Sequence, residues 1–254
     1  MIFFLSFIFC RNFAVLINTS VGYTNYRHAT NITVFDKILK NNGFTENDII
    51  FLTQENFSTE ERSPLPYYLP FNIECNYKPM NFTTNTILNI LSGNHPKFIN
   101  INDSNLLIYI CGHSSSEYMR LHNRSIISPI DIRNAIAKSS KYFSNIFIIF
   151  DTCYAEIFFK DNLYSDLKNV YFLATSKEKE TSKAYSRDYK LGIPAIDLFP
   201  FYFYNKFILN LSLEEFLSSI KPEDLHANLH YRVDDKTVRD FFMQRDNQRR
   251  VTKF

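Results

Sequence analysis

One histidine and one cysteine stand where a β-sheet would deliver both to the same edge. The apolar run Asn105–Cys111 (NLLIYIC) leads straight into Gly112-His113-Ser114-Ser115-Ser116, and the run 145–150 (NIFIIF) leads straight into Asp151-Thr152-Cys153. A cysteine thiol with a pKa near ~8.5 is only a few per cent thiolate at neutral pH, and an imidazole beside it accepts the proton and raises that fraction. The chemistry such a pair supports is acyl transfer through a soft nucleophile, with a base that titrates near neutrality. Neighbouring strands lie about 4.8 Å apart, so side chains leaving adjacent strand ends come within hydrogen-bond reach. Taken singly, a cysteine at a strand end is usually packing and a histidine there is usually a satisfied surface residue. Their joint placement, after Gly and after Asp-Thr, is what points to catalysis.

The elements that must hold the pair read as alternating strands and helices. Residues 13–17 (FAVLI) form a strand. Residues 27–42 are helical, with Ile32, Phe35, Ile38 and Leu39 on one face and Gly43 as a stop. Residues 49–52 form a second strand, and 55–78 a long loop with repeated proline turns. Thr84–Leu91 is a short helix ended by Gly93, and Ser128-Pro129-Ile130-Asp131 starts another, with Ser as N-cap, Pro at N1 and an acid at N3. Val170–Ala174 (VYFLA) is a further strand. Residues 196–211 are strongly aromatic but broken by Pro200, and 237–242 predict a last strand. Strands alternating with helices build right-handed βαβ units and a mostly parallel sheet. Runs that are apolar at every position, as LLIYI and IFIIF are, suit strands covered on both faces. The expectation is one doubly wound α/β domain over residues 12–254, with ligands outside the carboxyl ends of the strands.

Composition excludes several classes. With 254 residues, 45% hydrophobic and 21% charged, the chain suits a globular protein rather than a disordered or fibrous one. Its formal net charge is +2, from 28 Lys+Arg against 26 Asp+Glu, which gives no electrostatic reason to expect a nucleic-acid partner. Four cysteines in this length make no disulfide framework. Met1–Cys10 (MIFFLSFIFC) has the length of a secretory apolar core; it reads as a signal peptide over residues 1–11, the other reading being a first buried strand. No stretch of about 20 apolar residues occurs, so work at a membrane would depend on partners. N-x-[ST] triplets at Asn18, Asn31, Asn56, Asn81, Asn102, Asn123 and Asn210 fit a secretory route, although several arise by chance in an Asn-rich chain, and Asn18 ends a buried strand.

A strand ending in Gly-His and, about forty residues on, a strand ending in Asp-x-Cys resemble the legumain/caspase-like cysteine peptidases. Within them the closer resemblance is to the catalytic subunits of glycosylphosphatidylinositol (GPI) transamidases. It is carried by FAVLINTSVGYTNYRHATN, LLIYICGH, IFIIFDTC, FLATS and DLHANLHYRVDDKTVRDFF, over residues 12 to 243. The resemblance implies a caspase-like α/β fold and transamidation in the lumen of the endoplasmic reticulum. Its implied substrates are a secretory proprotein bearing a C-terminal signal and a GPI lipid; its implied partners are the other transamidase subunits, which would hold the chain at the membrane. It implies Cys153 as nucleophile, His113 as base and then acid, Asn25 as the residue orienting His113, and the backbone N–H groups of Ser114 and Cys153 as oxyanion hole. Ser176 and Glu180 would line the substrate pocket. No cofactor enters the chemistry.

The same resemblance implies a structural calcium site at Glu46, the main chain of Ile49, Glu74 and Asn76, where oxygen ligands suit Ca²⁺ but the charge count is reduced. The family's Gly-His-Gly-Gly reads Gly-His-Ser-Ser here. The position of its intersubunit cysteine reads Ser58, with Cys75 further along the same loop, and Cys111 sits inside a strand as a core residue. Two other readings share these residues. One is a legumain-like endopeptidase that hydrolyses the acyl intermediate; the other is a non-catalytic scaffold that keeps the fold.

Overall fold

The computed structural model describes residues 11–54, 80–99, 101, 103–160 and 162–245. All but the last residue of the expected signal peptide (1–11), the proline-rich loop with Asn56, Ser58, Glu74, Cys75 and Asn76, and the sequon at Asn102 lie outside the described residues.

The continuously apolar runs form the strands expected of them. Strands β1 (Phe13–Asn18), β2 (Ile49–Leu52), β3 (Asn105–Cys111), β7 (Asn145–Asp151), β8 (Val170–Ala174) and β9 (His230–Arg232) make a six-stranded sheet in the order β2-β1-β3-β7-β8-β9. All neighbours are parallel except β8 and β9. Between β3 and β7 the chain adds a small antiparallel sheet of β4 (His113–Ser114), β5 (Met119–Arg120) and β6 (Ile126–Ile127).

Because successive side chains of a strand point to opposite faces, each strand feeds two cores. Leu16, Leu107, Tyr109, Phe147, Ile149 and Leu173 face α1 (Tyr26–Asn41), and the opposite face carries Val15, Ile108, Ile110, Ile148 and Phe150. On the first face Phe35 of α1 stacks on Tyr109 with centroids 3.9 Å apart and packs on Phe203 at 4.9 Å. On the second lie α2 (Thr84–Leu91) and α3 (Pro129–Ser139), which contribute Ile87, Ile90, Ile132 and Ile136. The expected start of α3 is present in full: Ser128 Oγ accepts from Asp131 N at 3.2 Å, and Asp131 Oδ2 accepts from Ser128 N at 3.1 Å. Helices thus cover both faces of a mostly parallel sheet, the architecture anticipated from the alternating pattern.

Two elements differ from expectation. The aromatic stretch broken by Pro200 contains a helix, α4 (Leu198–Lys206); the proline is its third residue, in the first turn, where its missing N–H costs no helical bond. Residues 237–242 form no strand. Thr237 N and Oγ1 donate to Asp240 Oδ2 at 2.8 and 2.9 Å and cap a helical turn there, Val238–Phe242; the last strand among the described residues is β9 instead. Among the described residues, no helix is long and apolar enough to cross a membrane.

Strand order reverses direction at β1. The chain leaves β1 for β2 on one side and returns to β3 on the other, which opens a crevice above the carboxyl ends of β1, β3 and β7.

Candidate active site

The parallel register of β3 and β7 pairs Cys111 with Asp151. His113 and Cys153 each lie two residues beyond that pair, so the two loops leave the sheet abreast. Hydrogen bonds then lace the loops together. Thr152 Oγ1 donates to the Gly112 carbonyl at 2.9 Å. Ser114 Oγ lies 2.9 Å from Thr152 Oγ1 and donates to the Cys153 carbonyl. Ser114 therefore serves as a strut between the His113 loop and the backbone of Cys153.

Gly112 is the hinge of the first loop. It has φ of +148°, and a Cβ there would sit 2.0 Å from Thr19 Oγ1. Thr19 leaves no room because both its N–H (3.0 Å) and its hydroxyl (3.2 Å) donate to the Cys111 carbonyl, joining the exits of β1 and β3.

The imidazole is oriented from the other side of the crevice. His113 Nε2 lies 2.8 Å from Asn25 Oδ1, and the Asn25 amide is fixed in turn by Nδ2 donating to the Val21 carbonyl at 2.7 Å. An amide oxygen only accepts, so this bond places the ring proton on Nε2 and leaves the Nδ1 lone pair to accept a proton. Asn25 ends a short 3-10 turn, Tyr23–Asn25, immediately before α1, so a rigid helix start carries the orienting group.

Burial, with help from the Arg27 and Arg120 cations, pushes the His113 pKa below its ordinary value, so the ring is neutral at physiological pH and competent as a base. Burial pushes the Cys153 thiol up; a backbone hydrogen bond from Ser182 opposes that rise, and the Asp197 carboxylate adds to it. Both shifts favour a neutral thiol–imidazole pair at rest over a preformed ion pair.

The small hairpin sets the donors for an oxyanion. Ser115 N donates to the Tyr118 carbonyl at 2.9 Å, which makes Ser115/Tyr118 and, by alternation, His113/Arg120 the hydrogen-bonded pairs of the β4–β5 ladder. Ser114 N–H then points off the hairpin. Among the described residues, no protein oxygen accepts from Cys153 N–H. Two backbone donors on laced loops are the requirement for stabilising a tetrahedral oxyanion.

Beneath the pair lies a buried polar layer that sequence reading missed. Asp151, fully buried, accepts from Tyr109 Oη at 2.6 Å, Thr175 Oγ1 at 2.9 Å and Ser182 Oγ at 3.3 Å. Asp197, at the start of α4, pairs with Arg27 at 2.9 Å and accepts from Asn31 Nδ2 at 2.6 Å. Asn31 also receives Asp197 N at 3.0 Å, so this buried sequon asparagine has no exposed amide for a glycan. His28 Nδ1 lies 2.6 Å from Ser20 Oγ, and its ring packs edge-to-face on His113 with centroids 5.0 Å apart, a second support for that ring. These residues belong to at least five separate segments, and no local pattern in the sequence marks their convergence.

The two residues expected on the substrate pocket hold the loops from within. Ser176 is fully buried; its hydroxyl donates to the Thr152 carbonyl at 2.8 Å and accepts from Ala155 N at 3.0 Å, on either side of Cys153. Glu180 accepts from Asn228 N (2.8 Å), Asn228 Nδ2 (2.6 Å) and Lys177 N (3.0 Å), which holds its carboxyl below the usual range against the opposing effect of burial. Of the expected calcium ligands, Glu74 and Asn76 lie outside the described residues. The carbonyls of Glu46 and Ile49 both accept from Lys97 Nζ, at 2.5 and 2.7 Å.

The Asp151 carboxyl carries a testable consequence. Burial, reinforced by Asp197, pushes its pKa from 3.8 up to about 7, against the three hydroxyl donors. The folded chain therefore binds this proton more tightly than the unfolded chain. The stabilisation is complete below about pH 3.8 and is lost as pH rises through about 7. The melting temperature of the unmodified chain is expected to fall relative to that of Asp151→Asn as pH is raised from 5 to 8, whatever their offset. Parallel melting curves over that window would show that Asp151 keeps an ordinary carboxyl.

The sequence is similar to that of a known family of proteins. The profile of the peptidase C13 family matches residues 12–253. A GPI-anchor transamidase of Saccharomyces cerevisiae is 25% identical, over 93% of this chain and 64% of that protein. A putative GPI-anchor transamidase of Caenorhabditis elegans is 26% identical over 91% and 82%, and the GPI-anchor transamidase of Homo sapiens 25% identical over 83% and 55%. The chain thus spans between about half and four-fifths of these relatives' lengths. The crystal structure of caspase-1 from Spodoptera frugiperda superposes with a TM-score of 0.46 at 12% identity, covering 82% of this chain and 74% of that one. At that score the fold assignment rests on the strand order itself.

Proposed function

The chain belongs to the peptidase C13 family, and from that premise we propose that it is the catalytic chain of a GPI-anchor transamidase. The observation that carries the proposal is the Asn25–His113 bond at 2.8 Å, which leaves Nδ1 with its lone pair on a loop laced to that of Cys153. The similarity to proteins named GPI-anchor transamidase supports the choice of substrate.

In the proposed reaction, Cys153 sulfur attacks the carbonyl carbon of a small residue near the C-terminus of a secretory proprotein while His113 Nδ1 takes the thiol proton. The Ser114 and Cys153 N–H groups hold the oxyanion. His113 gives its proton to the departing amine, the C–N bond breaks, and a thioester remains. The ethanolamine amine of a GPI lipid then attacks; His113 takes a proton from the nitrogen, the C–S bond breaks, and the proton returns to sulfur. A base that is neutral at rest suits both halves, because each begins by accepting a proton. The work is placed in the lumen of the endoplasmic reticulum, with partner subunits holding the chain at the membrane.

A legumain-like endopeptidase would share every step up to the thioester and differ only in using water. A peptide bearing a C-terminal GPI signal, incubated with the complex and hydrazine as a small amine acceptor, separates the two. The transamidase reading predicts mainly the C-terminal hydrazide. Free carboxylic acid as the sole product, undiminished as hydrazine is increased, would establish hydrolysis.

A further inference from the structure

The resemblance places a calcium ion among Glu46, the Ile49 carbonyl, Glu74 and Asn76; the side chain that reaches two of these residues is a lysine. Lys97, on the loop between α2 and β3, extends its ammonium to the Glu46 carbonyl at 2.5 Å and to the Ile49 carbonyl at 2.7 Å. Calcium binds carbonyl oxygens at about 2.3–2.6 Å and wants six to eight oxygen ligands. An ion ~2.4 Å from the Ile49 oxygen would lie within about 5 Å of Lys97 Nζ, whatever its direction, so a double positive charge would face a single one at close quarters. Two carboxylates lie near the Lys97 ammonium, those of Glu46 and Asp48, and the second is already committed. Asp48, fully buried, pairs through Oδ1 with Arg11 at 2.7 Å and accepts through Oδ2 from Thr45 N and Oγ1, both at 2.7 Å. The described residues of this site, Glu46 and Ile49, do not fit a calcium ion alongside this lysine.

We infer that the Lys97 ammonium stands in for calcium in this chain, as a covalently tethered cation that pins the start of the edge strand β2 to the loop before β3. The substitution is physically reasonable. Both cations satisfy carbonyl oxygens that would otherwise point at one another. The lysine needs no supply of free ion, and it asks less of the surrounding carboxylates because it carries one charge rather than two. It also binds where β2 begins, at Ile49, whose neighbour Asp48 receives Ala14 N of β1 at 2.9 Å, so the clamp bears on the pairing of β1 with β2.

Thermal melting of the purified full chain tests this without reference to activity. The unmodified chain is expected to melt at the same temperature in excess EDTA and in millimolar CaCl₂. It is also expected to give no saturable sensitised emission on titration with Tb³⁺. Lys97→Met is expected to lower the melting temperature by about 2–4 °C in EDTA, the shift that losing one charged clamp gives in a chain of this size. A rise of several degrees with calcium in the unmodified chain, or a saturable terbium signal, would overturn the inference; so would a Lys97→Met chain that melts unchanged. Should Lys97→Met fail to fold, the calcium and terbium titrations of the unmodified chain decide it alone.

Discussion

Cells that lack their own transamidase catalytic subunit and receive this chain with Cys153→Ala are expected to attach no GPI anchors, a loss of about 10⁴-fold or more against the unsubstituted chain. The size of the effect follows from what alanine keeps and what it removes. It keeps the Cys153 backbone N–H and the carbonyl that Ser114 Oγ grips, so the oxyanion donors and the lacing of the loops survive. It removes the sulfur that forms the acyl bond in the proposed reaction, and bound water has no means of handing the acyl group to an amine. Loss of function with retained melting temperature is therefore the expected pair of results. Equal restoration of anchoring by the substituted and unsubstituted chains would establish the scaffold reading instead.

Gly112→Ala should be the next most damaging change, through geometry alone. The added Cβ would lie 2.0 Å from Thr19 Oγ1, and the backbone there has φ of +148°. To make room, Thr19 must rotate and give up its bond to the Cys111 carbonyl, or the Gly112 loop must lift from the Thr152 hydroxyl. Backbone strain of this kind costs about 1–3 kcal/mol and a buried clash a similar amount. Displacing His113 by as little as about 1 Å costs on the order of 10²-fold in rate. A lower melting temperature together with a drop in turnover of about 10²-fold or more is expected. Thr19→Ala in the same chain should recover part of it, because the next nearest atom, Thr19 Cβ, stands at 3.3 Å. Full activity in Gly112→Ala alone would mean that the loop is not held as described.

The sheet was legible because its signals are local. β3 and β7 are apolar at every position, Ser128-Pro129 opens a helix wherever it occurs, and a short helix ended by Gly93 needs no tertiary context. That the loops of His113 and Cys153 leave the sheet abreast was legible because both follow apolar strands that pair in register. Asn25 came only through family resemblance: alone, an asparagine in a turn is a turn residue, and its role appears when Oδ1 meets His113 from a segment 88 positions away. Ser182, Asp197 and His28 carry no local mark, since each meets groups brought in from distant segments, His28 through its ring against His113. The strand expected at 237–242 failed because Phe241 and Phe242 are apolar whichever element holds them, while the Thr237–Asp240 cap that decides the matter is a helix signal of only four residues. Ser176 likewise came only through resemblance; its hydroxyl bonds to the Thr152 carbonyl and Ala155 N depend on a segment more than twenty positions away and leave no local mark.

The most direct test is to look for the acyl-enzyme itself. A peptide carrying a C-terminal GPI signal, mixed with the complex and quenched in acid before any amine acceptor is added, should leave the N-terminal fragment of the peptide as a mass adduct on the proteolytic fragment containing Cys153. Hydroxylamine should release it, and Asn25→Ala or His113→Ala should slow its appearance. An adduct on another residue, or turnover to product with no adduct on Cys153 at any quench time, would contradict the assignment.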